Sequence, residues 1–144
     1  MGDLTSPKIE KFRSSDISKL EQLINLEYKP ITVDWEFINV RPGGRLLEGP
    51  NDTYIVALIT YDQETFNNFI NSIESEPVEN FLVDETFKEM YPFSIWNKFV
   101  KQTDGSYRIT EKVYSAVMFA KRPSMSGYFF TITEENLVFL KISA

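Results

Sequence analysis

The sequence contains no cysteine and no histidine. The first absence excludes disulfides, thiolate zinc sites and thiol nucleophiles; the second removes imidazole as base or metal ligand. No apolar run approaches the roughly 18–20 residues that a membrane-spanning helix needs. No charged-then-apolar leader opens the sequence, so a cytoplasmic protein, or a mature exported domain with its leader removed, is expected. Basic residues are scarce: 15 Lys and Arg stand against 21 Asp and Glu, a formal net charge of −6. That balance argues against a nucleic-acid partner, because phosphate binding needs a basic footprint. A P-loop, a dinucleotide fingerprint, a G-x-S-x-G elbow and EF-hand spacing are all missing, and no cofactor or metal is expected.

What is present is a chain that can bury a core. It has 144 residues, 42% of them hydrophobic and 15% aromatic, which suits a single soluble domain without staples. Hydrophobic periodicity predicts an α+β class: one mainly antiparallel sheet of about five strands, over 31–40, 53–61, 113–120, 128–133 and 137–142, with helices over 15–28, 62–74 and 84–91 packed on it. Residues 1–13 contain Pro7, show no period and read as a loosely ordered lead-in. Residues 53–61, TYIVALITY, are apolar on both faces, as in a central strand covered on two sides. They run into the clearest helix. Asp62 is placed to cap it, Tyr61 and Phe66 form a hydrophobic staple, and Phe66, Phe69, Ile70 and Ile73 follow the helical spacing up to Pro77. Residues 94–110 read either as a short helix or as a hairpin about Asp104-Gly105. Phe129 and Phe130 point to opposite faces of their strand, so something must cover each face.

Charge is unevenly distributed. Residues 51–92 hold one basic group, Lys88, against nine carboxylates. Such a stretch is either a solvated surface or an electrostatic landing site for a basic protein, with Glu74, Glu76, Glu79 and Glu85 as its candidate contacts. The segment Arg41-Pro42-Gly43-Gly44-Arg45 offers a second candidate. Its glycines let backbone N–H groups converge on an anion and Arg41 and Arg45 supply bidentate donors, although Pro and Gly in this order also make a plain type II turn. Asp34 and Glu36 share one face of a predicted strand about 7 Å apart, with Asp52 in the following loop as a possible third acid. Paired carboxylates can do acid–base work or hold a hard cation, and they can equally be the wet face of a sheet. Ser124 and Ser126 have only Lys121 as a conceivable base.

Two functional readings follow. The first is a non-catalytic protein-binding domain, immunity- or inhibitor-like in its acidic compactness, engaging a basic partner through the 51–92 surface. The second is a small-molecule or anion-binding domain, conceivably an enzyme, with its site on the 41–52 loop. The absence of histidine favours binding over catalysis. An aromatic-lined carrier of an apolar ligand is a third, permitted by the composition without being required by it.

Overall fold

The computed structural model describes residues 8–41, 52–83 and 92–143. Among these residues, nine strands and two α-helices follow one another as β1 (Lys8–Ser14), α1 (Ile17–Leu23), β2 (Thr32–Arg41), β3 (Asp52–Thr60), α2 (Gln63–Asn71), β4 (Leu82–Val83), β5 (Phe99–Lys101), β6 (Tyr107–Ile109), β7 (Val113–Ser115), β8 (Gly127–Ile132) and β9 (Leu137–Ser143). Short 3-10 helices occupy Phe93–Lys98, Ala116–Phe119 and Thr133–Glu135. Six strands form an antiparallel sheet in the order β1-β2-β3-β9-β8-β7, and β4-β6-β5 form a second, smaller antiparallel sheet.

The large sheet is two three-stranded meanders joined edge to edge where β3 pairs with β9. Alternation along each strand then divides the core in two. Ile55, Ala57 and Ile59 of β3, Val138, Leu140 and Ile142 of β9 and Phe129 of β8 face Leu20, Ile24, Phe66, Phe69 and Phe119 on the helical side. Val56, Phe130, Ile132 and Phe139 face Val83, Ile95, Tyr107 and Ile109 on the small-sheet side. The adjacent phenylalanines are thus each covered by the chain itself: Phe129 by the α2 side, Phe130 by the small-sheet side.

The sequence expectation holds for an antiparallel α+β fold, and it needs several corrections. The sheet has six strands, and a second sheet accompanies it. Within the expected lead-in, residues 8–14 form β1, which pairs with β2 along its whole length. Its partners are held by charge rather than apolar periodicity: Arg13 and Lys11 stand against Asp34 and Glu36. The helix expected over 15–28 ends at Leu23, because the Asn25 backbone N–H donates to Phe119 O (2.9 Å) and its side-chain amide to Ala120 O (2.9 Å). The run 113–120 is a strand only to Ser115 and then coils into a 3-10 turn with Ala116 and Phe119 inward. In 94–110 both alternatives are partly realised, as a 3-10 helix followed by the β5–β6 hairpin. The Asp104 carboxylate, accepting from the Ser106 N–H and hydroxyl, and Gly105 at φ 91° make its turn. The helix expected over 84–91 lies outside the described residues.

The α2 expectation is met at its start, while its end falls at Asn71 and not at 74: Asp62 accepts from the Thr65 N–H at 2.7 Å, and this bond holds its carboxyl below the usual carboxylate range. Inward from the cap, Phe69 sits among Tyr28, Tyr61, Phe119 and Phe129 with ring centroids 5.6–6.2 Å away. One ring therefore ties α2 to the segment after α1, to the end of β3, to the 3-10 turn and to β8. Truncation by Phe69→Ala is expected to cost about 3–5 kcal/mol, read as a lower urea midpoint; a loss below about 1 kcal/mol would contradict the central place given to this ring. Burial also drives the Tyr61 phenol far above its ordinary value of 10.0. The folded state keeps that proton when the unfolded chain has lost it, so stability should fall as pH rises past about 10. The Tyr61→Phe variant should fall less steeply over the same range in parallel melts.

Candidate functional site

The acidic candidate residues are placed by the end of α2. The Ser72 N–H donates to Asn68 O and Phe69 O, and its hydroxyl donates to Phe69 O at 2.6 Å, which closes the helix two residues before Glu74. The chain then crosses as a strap, without regular structure, to the free edge of β7. There the Val78 N–H donates to Val113 O at 2.7 Å, and Asn80 turns the chain through a left-handed conformation at φ 55°. Glu74, Glu76 and Glu79 are all exposed on this strap, and Val78, 43% accessible, stands between the last two. None of the three carboxylates forms an ion pair with a described residue. The structure thus brings Glu74, Glu76 and Glu79 onto one segment; Glu85 lies outside the described residues.

Beside the strap runs a groove with a cavity volume of ≈ 340 Å³, walled by Ile73 and Glu74 on one side and by Val117 and Met118 of the 3-10 turn on the other. Glu27, from the segment after α1, also lines it, with Ser72, Ser75 and Ser115. Glu27, Val117 and Met118 were not legible as site residues. In a strand over 113–120, Val117 would share a face with Phe119; the 3-10 period instead buries Phe119 and leaves Val117 68% accessible.

Of the loop 41–52, only its two ends are described. Arg41 ends β2, and Asp52 opens β3 opposite Val40, so the segment connects antiparallel neighbours. Gly43, Gly44 and Arg45 lie outside the described residues. Asp52 does not join Asp34 and Glu36: it stands four strand positions from Val56, the partner of Glu36, roughly 13 Å along the sheet.

Asp34 and Glu36 do share a face, as their spacing predicts, and β1 supplies their counter-charges. The Arg13 guanidinium donates from Nε to Asp34 Oδ1 at 2.8 Å and from Nη2 to Asp34 Oδ2 at 2.5 Å, which raises the guanidinium pKa further. Lys11 Nζ lies 3.9 Å from Glu36 Oε2. A cleft of ≈ 290 Å³ with Val56, Leu58 and Pro92 in its wall adjoins this pair. Asp34 is engaged by the Arg13 guanidinium, whereas Glu36 Oε2 is buried without a hydrogen-bond partner, and among the described residues no three acids gather as a metal site. Ser126 is also structurally committed: its N–H donates to Ser143 Oγ at 3.0 Å and its carbonyl accepts the Ser143 N–H at 2.7 Å.

One titratable group escaped the sequence reading. Lys141 sits in the apolar run of β9 on the small-sheet face, with Nζ 4.6 Å from the Tyr54 ring centroid and 5.8 Å from that of Tyr128. Phe81 packs on Tyr128 at 4.3 Å. Burial lowers the Lys141 pKa.

The chain matches no protein-family model, no curated protein and no solved structure.

The Lys141 environment gives a signed prediction. In the unfolded chain this amine holds its proton up to its ordinary 10.5, whereas the folded state releases it earlier, so its contribution to stability rises with pH between the two values. Carbon-13 NMR of reductively methylated lysines should show Lys141 titrating below the exposed lysines, and Lys141→Met should abolish that part of the rise. Titration together with the exposed lysines would refute the assignment.

Proposed function

We propose that this protein is a non-catalytic protein-binding domain that engages a basic partner through the strap that follows α2. The reading is supported chiefly by one observation: the strap is pinned to the β7 edge through Val78 while Glu74, Glu76 and Glu79 project from it without an ion pair to any described residue. Fixed, unneutralised carboxylates around an exposed aliphatic side chain form a surface whose field steers a cationic partner and whose centre gives it something to bury. By contrast, Asp34 on β2 is already held by a bidentate Arg13, and Lys11 Nζ stands 3.9 Å from Glu36, so this face carries counter-charges that the strap lacks.

The test is affinity capture by the wild-type protein and by a variant carrying Glu74→Lys, Glu76→Lys and Glu79→Lys, washed at about 50 mM and then about 500 mM salt. A basic protein retained in stoichiometric amount by the wild type should be lost at high salt and bind the variant more weakly by about tenfold or more. Equal retention by both proteins would refute the proposal. The three residues are exposed, so the variant should melt within a few degrees of the wild type.

A further inference from the structure

The strap is flanked by two hollows of mixed polar and aliphatic lining, and they differ in charge. On one side, Ile70, Ile73, Pro77 and Tyr114 line a hollow that also carries Glu111 and Lys112. Glu111 is paired with Lys98 at 3.2 Å, and Lys112 brings a positive charge, so this hollow presents no net acidic rim. On the other side, Ile73, Val117 and Met118 line the groove of ≈ 340 Å³ together with Ser72, Ser75 and Ser115, and among the described residues its charged walls are Glu27 and Glu74. Both are exposed. Val117 is the most accessible large hydrophobic residue among those described, at 68%.

The groove is held open by backbone bonds on both flanks. The Ala116–Phe119 turn is fixed by Ala116 and Phe119 in the core and by the two Asn25 bonds, to Phe119 O and Ala120 O. The strap is fixed at one end by the Ser72 bonds and at the other by Val78. Ile73 of the strap and Val117 and Met118 of the turn thus share one hollow with three serines and two carboxylates. A cation with no hydrocarbon would leave Val117 and Met118 wet, and an apolar group without cations would leave Glu27 and Glu74 uncompensated.

Resting on the proposed binding role, we infer that the groove between Ile73 and Val117 is the anchor pocket of that surface, taking an aliphatic side chain flanked by Lys or Arg in a basic protein segment. The anchor buries against Ile73, Val117 and Met118, while its neighbouring cations meet Glu27 and Glu74. Charge then sets encounter and orientation, and the anchor sets selectivity among basic segments.

Two capped peptides of equal charge, Arg-Arg-Leu-Arg-Arg and Arg-Arg-Ser-Arg-Arg, test this by amide chemical-shift titration against the intact protein. The leucine peptide should bind about fivefold or more tightly, with shifts centred on Ile73, Glu74, Val117 and Met118. Val117→Asn, an exposed change whose melting temperature serves as the folding control, should erase the difference while leaving the salt-sensitive binding of the serine peptide intact. Equal affinity of both peptides for the strap would overturn the anchor pocket and leave the acidic surface standing. Absence of binding by either peptide would overturn both, and a leucine preference mapping to another face would overturn the pocket alone.

Discussion

The fold depends on the pairing of β3 with β9. Each strand ends a separate meander, and their register from Tyr54↔Ser143 to Thr60↔Leu137 turns two three-stranded pieces into one sheet. Neither meander could cover both its faces alone. Once joined, the central strands are apolar on both sides, and helices on one face and a small sheet on the other become necessary. On the other side of β9, Gly127 shows how closely β8 packs: a Cβ there would overlap the Lys141 carbonyl oxygen and the Ile142 Cα of β9. The seam spans about eighty residues of sequence, so its loop-closure entropy must be met by burial on both faces at once.

Where local pattern and tertiary role coincide, the sequence announces the structure. β3 is apolar on both faces because it is central, and α2 carries cap, staple and stripe in one stretch. Legibility fails where an element is specified by something distant. β1 has no apolar alternation to reveal it, since the groups it turns toward β2's acids are exposed cations, Lys11 and Arg13. The early end of α1 is fixed by Asn25 reaching a turn about ninety residues further on. The 3-10 turn after β7 has the composition of a strand, and only its packing against Asn25 and Phe129 decides the period.

The same distinction governs the site. The acidity of 51–92 is visible in composition, but a count of carboxylates does not say which are spent. Structure separates Asp34, held by a bidentate arginine, and Asp62, occupied in capping α2, from Glu74, Glu76 and Glu79, which serve no described structural bond. Glu27 belongs with the latter group only because α1 stops early. That position could not be found without knowing what Asn25 binds.

Both ends of the sheet must also be protected from pairing with other chains, and they are protected by different means. At β1, an antiparallel twofold continuation would pair residues of like parity. It would set Lys11 against Lys11 or against Arg13, or Glu10 against Glu10, so each nearby register opposes like charges. At β7 the strand is short, and the strap lies across it, its Val78 N–H taking the carbonyl that a foreign strand would have used. The element that closes this edge is therefore the one that carries the unmatched carboxylates. Protection by coverage leaves the strap's own side chains facing solvent, and their negative charge discourages other acidic copies of the same chain while favouring a basic neighbour. Edge protection and the outward presentation of these carboxylates are both consequences of one bond between Val78 and Val113.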